Sequence, residues 1–232
     1  MTFEATVAFP SVKGHLAERM RTFHNERLPE LEILALPGYG SFFSAWEAAI
    51  DQASCDVLIL THEDVRILGL PPSQLSNGFA EEPKLGMMGV AGTKEIKLPE
   101  FWWYSNTRYQ TGILSGEIFH DTPQMTAPMK SVFGNFGNVV VLDGVCLITT
   151  KERLARILPE CKKHTYATWD FYDHVVSLEF VKAGYYLRTC PLRMIHDSAG
   201  GDKRPSFMTS GQRFAAEYLV DTNTGAYRTW SV

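Results

Sequence analysis

An apolar run that stops abruptly in charge constrains this chain most. Val57-Leu58-Ile59-Leu60 places four branched aliphatics in a row, and Thr61-His62-Glu63-Asp64-Val65 follows at once. Unbroken aliphatic runs of this length read as strands buried on both faces, the kind found in parallel sheets. Three ionisable side chains then emerge where the strand leaves the core. In open α/β sheets the ligand crevice lies at the carboxyl ends of the strands. Carboxylates at that position suit a hard divalent cation shared with substrate phosphates. The same trio also reads as a charged cap that only ends the strand.

The residues ahead of this strand set its context. Residues 4–9 read as a first strand stopped by Pro10, and Leu16, Met20 and Phe23 recur at helical spacing over about residues 15–26. Residues 31–36 form a second strand, ended by Pro37-Gly38-Tyr39-Gly40. Ser41 is placed to cap a helix whose apolar face carries Phe42, Trp46, Ala49, Ile50 and Ala53. The order is β-α-β-α-β, with crossovers that suit parallel strands. This opening contains neither G-x-G-x-x-G nor a P-loop, which weighs against dinucleotide and NTPase chemistry.

Charge narrows the partners. A net charge of -4 argues against a nucleic-acid binder, but leaves an anionic substrate open where a metal supplies positive charge. Cys55, Cys146, Cys161 and Cys190 are scattered without a C-x-x-C, which suits a reducing cytosol. The amino terminus lacks the pattern of a signal peptide. No apolar stretch approaches the ~20 residues of a transmembrane segment. A cytoplasmic location is expected.

Beyond the charged trio, residues 71–83 read as a surface excursion and residues 84–92 as a buried strand flanked by glycines. Those glycines suit either close approach to a ligand or tight turns. Residues 98–138 read as one long irregular segment with Phe101, Trp102, Trp103 and Tyr104 at its start and Gly112, Gly116, Gly134 and Gly137 along it. Segments of that kind are usually functional or mobile. The tryptophans suit stacking on a sugar or base, or simply core packing. Residues 139–148 return to strand with Asp143 embedded, a costly placement unless the carboxylate has partners. A helix follows over residues 151–159.

Thr168-Trp169-Asp170-Phe171-Tyr172-Asp173-His174 opens the next helix, which Gly184 would stop. Asp170 and Asp173 are three apart and so share a face near its start. The helix dipole alone favours carboxylates there, and the same geometry serves a general base aimed at a hydroxyl. A last strand over residues 185–192 delivers Ile195-His196-Asp197-Ser198 to an edge. Gly200-Gly201-Asp202-Lys203-Arg204-Pro205 is a basic loop, placed either to fold over a diphosphate or to stand in solvent.

Taken in order, several short segments resemble a GT-A glycosyltransferase, and more narrowly the small bacterial glycosyltransferase-like family named after a streptomycin-biosynthesis protein, a relative of family 2. They are His62-Glu63-Asp64-Val65, Gly89-Val90-Ala91-Gly92, the Trp102-Trp103 region, Leu142-Asp143-Gly144-Val145, Phe171-Tyr172-Asp173, Lys182-Ala183-Gly184-Tyr185 and Ile195-His196-Asp197-Ser198. The resemblance implies a single GT-A (Rossmann-like) α/β domain with a mostly parallel central sheet flanked by helices. Residues 1–97 would be its nucleotide-binding half and residues 98–232 its acceptor half.

The implied activity is inverting transfer of a sugar from a nucleotide-diphosphate donor, most often UDP-linked. The acceptor (saccharide, lipid or small molecule) is left open. Asp64 and His196 would hold Mn2+ or Mg2+, and His62-Glu63-Asp64 would stand in for the family's DXD motif. Pro10, Ser11, Pro37, Gly38 and Ser41 would contact the nucleoside, and Asp143 and Gly144 would face the donor sugar. Asp173, with Asp170 as second candidate, would be the base, and Trp102, Trp103 and Trp169 would meet the acceptor. The sequence departs from the family at Val175, where a second acid is common, at His62, and at Ser44-Ala45-Trp46-Glu47, where an asparagine is common. A nucleotide-sugar-binding protein without transferase activity is the alternative. A two-metal phosphohydrolase stands further off, because few His and Asp residues cluster in the sequence.

Overall fold

The computed structural model describes residues 3–69, 72–121, 125, 127–198 and 205–232. The chain opens as β1 (Ala5–Ser11), α1 (Gly14–Arg27), β2 (Leu31–Pro37), α2 (Phe42–Gln52) and β3 (Val57–Thr61). β1 pairs in parallel with both β2 and β3, and every residue of β3 is buried. β1 does not stop at Pro10 but runs through it to Ser11. Beyond Ala8 it pairs only with β2, an edge-like stretch where a missing N–H is tolerated.

Next come β4 (Val65–Gly69), α3 (Pro72–Glu81), β5 (Leu85–Gly89), β6 (Ala91–Thr93) and β7 (Glu95–Ile96). They are followed by α4 (Asn106–Thr111), β8 (Leu114–His120), β9 (Met129–Gly134), β10 (Asn138–Val139), β11 (Val141–Leu142), β12 (Cys146–Thr150) and α5 (Lys151–Cys161). The chain closes with α6 (Tyr172–Lys182), β13 (Tyr186–Thr189), β14 (Arg193–His196), α7 (Pro205–Tyr218) and β15 (Trp230–Ser231). No helix among the described residues is long and apolar enough to cross a membrane.

The large sheet has the order β10-β13-β5-β12-β3-β1-β2. β12 lies antiparallel between β3 and β5, and β10 is antiparallel to β13 at the edge. The central sheet is therefore mostly but not strictly parallel: β13, β5, β3, β1 and β2 run one way, and β12 and β10 run against them. Cys146–Thr150 is nearly as apolar and buried as β3, so periodicity carries no mark of its direction; the long excursion before it reverses the chain. A second sheet, β11-β6-β8-β14-β4 with β9 on β8, stands at the strand ends. Helices α2, α5 and α6 pack in a row against the large sheet, and α1 lies across β1, β2 and β4.

Several segments differ from their sequence reading. Residues 98–138 are not one irregular loop, because α4 and the β8–β9 hairpin occupy much of them. β9 is a largely exposed edge strand and so lacks the apolar alternation that would announce it. Gly116 and Gly134 are packing requirements there: a Cβ would stand 2.0 Å from the Val90 carbonyl oxygen at the first and 2.5 Å from that of Leu114 at the second. Within residues 71–83 a helix, α3, takes the place of the surface excursion. The strand expected over residues 139–148 is broken, so Asp143 sits in a turn and accepts the Val145 N–H at 2.8 Å. Of the basic loop, Gly200 to Arg204 lie outside the described residues.

Candidate active site

His62-Glu63-Asp64 forms the turn that carries the chain from β3 in one sheet to β4 in the other. His196 closes β14, paired with Val65 on one side and His120 on the other. The Asp197 N–H donates to the Asp64 carbonyl at 2.8 Å and fastens the two segments. One ring nitrogen each of His62 and His196 and one carboxylate oxygen of Asp64 lie within 4.8 Å of one another.

The valences of this group are not all met. Asp64 Oδ1 is buried and has no hydrogen-bond partner among the described residues, although His196 Nε2 approaches it to 3.4 Å. A buried carboxylate oxygen left in that condition is unusual, since native interiors satisfy nearly all such atoms. Burial pushes the Asp64 carboxyl up, but the adjoining His196 and His62 imidazoles outweigh it and hold the group below the ordinary carboxylate range. Burial, with His196 second, lowers His62 to about 4. It is therefore neutral near pH 7, the form a metal ligand needs. Two imidazoles and one carboxylate fit a divalent cation, and this partly nitrogen donor set suits a first-row transition ion better than Mg2+.

Glu63 does different work. Its carboxylate accepts the Val12 N–H at 3.0 Å and the Lys13 N–H at 2.9 Å. Lys13 is the N-cap of α1 and provides no side-chain cap, so Glu63 caps the helix from the turn after β3 and fixes the β1–α1 corner. Ser11 and Pro37 are register partners at the ends of β1 and β2. Gly38 takes a positive φ of 82° immediately after. Ser41 caps α2 as its sequence indicates, accepting the Ser44 N–H at 3.1 Å in a reciprocal box. Pro10, Ser11, Pro37 and Gly38 thus cluster at the carboxyl ends of neighbouring parallel strands, next to the end of β3.

The other wall comes from the start of α6. This helix begins at Tyr172, capped by Phe171 in the left-handed region at φ 61°. Such a backbone costs a bulky residue about 1–3 kcal/mol. The buried Phe171 ring is pinned there among Phe101, Trp102, Phe207 and Phe214. Tyr172 is directed inward, stacking on Phe42 at 3.7 Å. Its hydroxyl lies 2.7 Å from His62 Nε2 and donates to the Gly144 carbonyl at 3.0 Å. Glycine is required at 144 because a Cβ would stand 2.2 Å from that hydroxyl.

Asp173 is buried, and both of its oxygens are engaged. Oδ2 accepts the Gly144 N–H at 3.1 Å, and Oδ1 accepts the His174 N–H and Nδ1, each at 2.9 Å. Burial opposes its charge, but His174 and these N–H groups hold it below the usual range. Asp143 behaves oppositely: burial, with the charge of Asp173 second, pushes it up to about 6. Asp170 lies before α6 rather than on a shared helical face, because the left-handed Phe171 interposes; it accepts from Ser206 Oγ at 2.7 Å.

The tryptophans separate. Trp103 is 4% exposed and packs against Tyr104 and Phe133, so its ring is core. Trp102 is half-buried and stacks on His174 at 4.9 Å. Trp169, also half-buried, meets Phe42 edge-on at 5.1 Å. Sequence reasoning missed Tyr172, which its spacing marks only as an apolar helix position, and Arg66. The Arg66 guanidinium donates to Asp121 at 2.7 Å and to Asp197 at 3.0 Å, bracing the residues that follow β8 and β14.

Comparisons with known proteins agree with this architecture. The sequence model of the glycosyltransferase like family matches residues 18–194. No curated protein sequence matches. Among solved structures, GalNAc-T7 with UDP, GalNAc and Mn2+ aligns at a TM-score of 0.57 and 9% identity, over 95% of this chain and 49% of that one. The chain therefore spans about half the length of that neighbour. A197 from STIV aligns at a TM-score of 0.44 and 15% identity, over 88% of this chain and 98% of that one. With the family matched over most of its length and a mixed sheet flanked by helices in the GT-A manner, this chain belongs to the glycosyltransferase-like family.

Proposed function

We propose that this glycosyltransferase moves a sugar from a nucleotide-diphosphate donor, UDP-linked in the simplest case, to an acceptor hydroxyl with inversion, using a divalent cation held by Asp64, His62 and His196. The observation that carries the reading is the buried Asp64 Oδ1 between two imidazoles, which receives no hydrogen bond among the described residues, at the strand ends where open α/β sheets bind ligands. When bound, the cation would act as the Lewis acid that neutralises the leaving diphosphate. The matched neighbour, solved with UDP, GalNAc and Mn2+, supports the same ligand chemistry.

The rest follows from the chain's own groups. Pro10, Ser11, Pro37, Gly38 and Ser41 border the nucleoside, with Glu63 holding the β1–α1 corner in shape. Asp143 and Gly144 face the donor sugar. Asp143 and Asp173 are a pair of carboxylates whose environments push their pKa values apart, the pattern that separates a proton acceptor from a fixed charge. Asp143, at about 6, is the better matched acceptor for the hydroxyl proton; Asp173 supplies the charge beside it, and Asp170 stands outside this pair. Trp102 and Trp169 offer faces to the acceptor.

Calorimetric titration with UDP, with and without Mn2+, tests the reading. Binding that needs Mn2+ and is lost in Asp64→Ala is the expected result; equal affinity in wild type and variant overturns it. The engagement of both Asp173 oxygens favours one other reading, a nucleotide-sugar binder without turnover. Donor hydrolysis that disappears in Asp143→Asn or Asp173→Asn would remove that alternative.

A further inference from the structure

Tyr172 touches both walls of the site. A carbonyl can only accept, and a phenol has a single proton. The contacts of Tyr172 with His62 Nε2 and with the Gly144 oxygen are both satisfied only when Tyr172 donates to Gly144 and His62 donates its Nε2–H to Tyr172. A neutral imidazole carries one N–H, so the lone pair is then on Nδ1. The phenol is not free to swing away: it is 4% exposed, stacked on Phe42 and edge-on to Trp46 at 5.6 Å. Gly144 also donates its N–H to Asp173. One residue thus receives Tyr172 at its carbonyl and holds Asp173 at its amide.

We propose that Tyr172 is a positioning residue for the cation site: it fixes His62 as the Nε2–H tautomer and leaves Nδ1 as the nitrogen offered to the metal. The inference rests on the metal reading of His62, Asp64 and His196 given above. Outer-shell partners that orient a ligating histidine typically contribute 10–100-fold to metal affinity. Because Gly144 is shared, the imidazole on the donor side and the carboxylate on the acceptor side are held in one frame.

Tyr172→Phe tests this, since the ring and its stack on Phe42 are kept and only the hydroxyl is removed. Two readouts are needed, neither of them turnover. Long-range proton–nitrogen NMR of the metal-free wild type, with His62 assigned by its absence in His62→Gln, should show the Nε2–H tautomer. In Tyr172→Phe that preference should be lost. Titration of Mn2+ followed by electron paramagnetic resonance should show binding about 10–100-fold weaker in Tyr172→Phe than in wild type. An Nδ1–H tautomer in wild type overturns the inference even if the variant fails to fold. Equal Mn2+ affinity in the two proteins overturns it while sparing the metal reading. Wild type that takes up no Mn2+ removes the metal reading, and this inference with it.

Discussion

Two clusters in this molecule use the same residue types to opposite ends. At the end of β3, His62 and His196 surround Asp64. At the far end of α6, His164 meets Glu179 and Glu217. His164 Nδ1 contacts Glu217 at 2.6 Å and Nε2 contacts the Tyr218 hydroxyl at 2.8 Å. Tyr218 donates to Glu179 at 2.5 Å, and Lys182 donates to the same carboxylate at 2.7 Å. Every carboxylate there accepts a hydrogen bond, whereas Asp64 keeps a buried oxygen that receives none among the described residues. The electrostatics diverge accordingly. Glu179 and Glu217 raise His164 despite its burial, while burial lowers His62 to about 4. A histidine with acids ties helices together when its valences are met, and it leaves donor atoms open to a ligand when they are not.

The largest effects should split the clusters cleanly. Asp64→Ala is expected to weaken Mn2+-dependent UDP binding about 100-fold or more, above the range typical of outer-shell changes, with little change in the denaturant midpoint. Glu179→Gln should do the reverse. Loss of a partner from a buried ionic cluster costs about 3–5 kcal/mol, measurable by urea unfolding, while UDP affinity stays at the wild-type value. If both variants lose binding and stability together, the division between the clusters fails.

Next in size is the pH dependence of the metal-free protein. His62, lowered to about 4, is protonated more readily when unfolded, so its contribution is full above about 6.5 and is lost as pH falls toward 4. His24 and His120, lowered mainly by burial, act in the same direction. His164 has the opposite sign: its contribution is full below about 6.5 and is lost as pH rises through its raised folded value. Each pKa unit is worth about 1.4 kcal/mol. Thermal midpoints across pH should therefore fall on both sides, and His164→Gln should flatten the alkaline limb alone. The smallest effect belongs to Glu217→Gln. Glu217 is 46% exposed, so the pair is worth under about 1 kcal/mol; a larger loss in urea unfolding would mark the second cluster as more than a surface tie.

The end of β3 was legible in the sequence and the start of α6 was not, for physical reasons. Val57-Leu58-Ile59-Leu60 followed by charge is a local pattern, and it places His62, Glu63 and Asp64 at a strand end whatever lies elsewhere. The Ser41 cap is equally local. That Glu63 turns away to cap α1 is a contact 50 residues distant in sequence, which no spacing encodes. Tyr172 sits in an apolar row and reveals its role only through a hydroxyl that meets His62, 110 positions away. Asp170 shares a face with Asp173 only if the helix runs through Phe171, whose left-handed backbone is held by rings from distant segments. The β8–β9 hairpin escaped because its outer strand faces solvent.

The reversed strand β12 has a consequence for how the chain reaches this structure. β3 and β5 are not sheet neighbours; β12, supplied by residues 146–150, lies between them. As the chain leaves the ribosome, the first 97 residues hold both flanks of a gap that only later sequence fills. Pairings of such separation close slowly, because a long loop must be ordered before they contribute. Until then β3 and β5 present unpaired edges, the kind that recruit other chains. The strand end that carries His62, Glu63 and Asp64 is thus written early in the chain, but its sheet is completed only by residues 146–150.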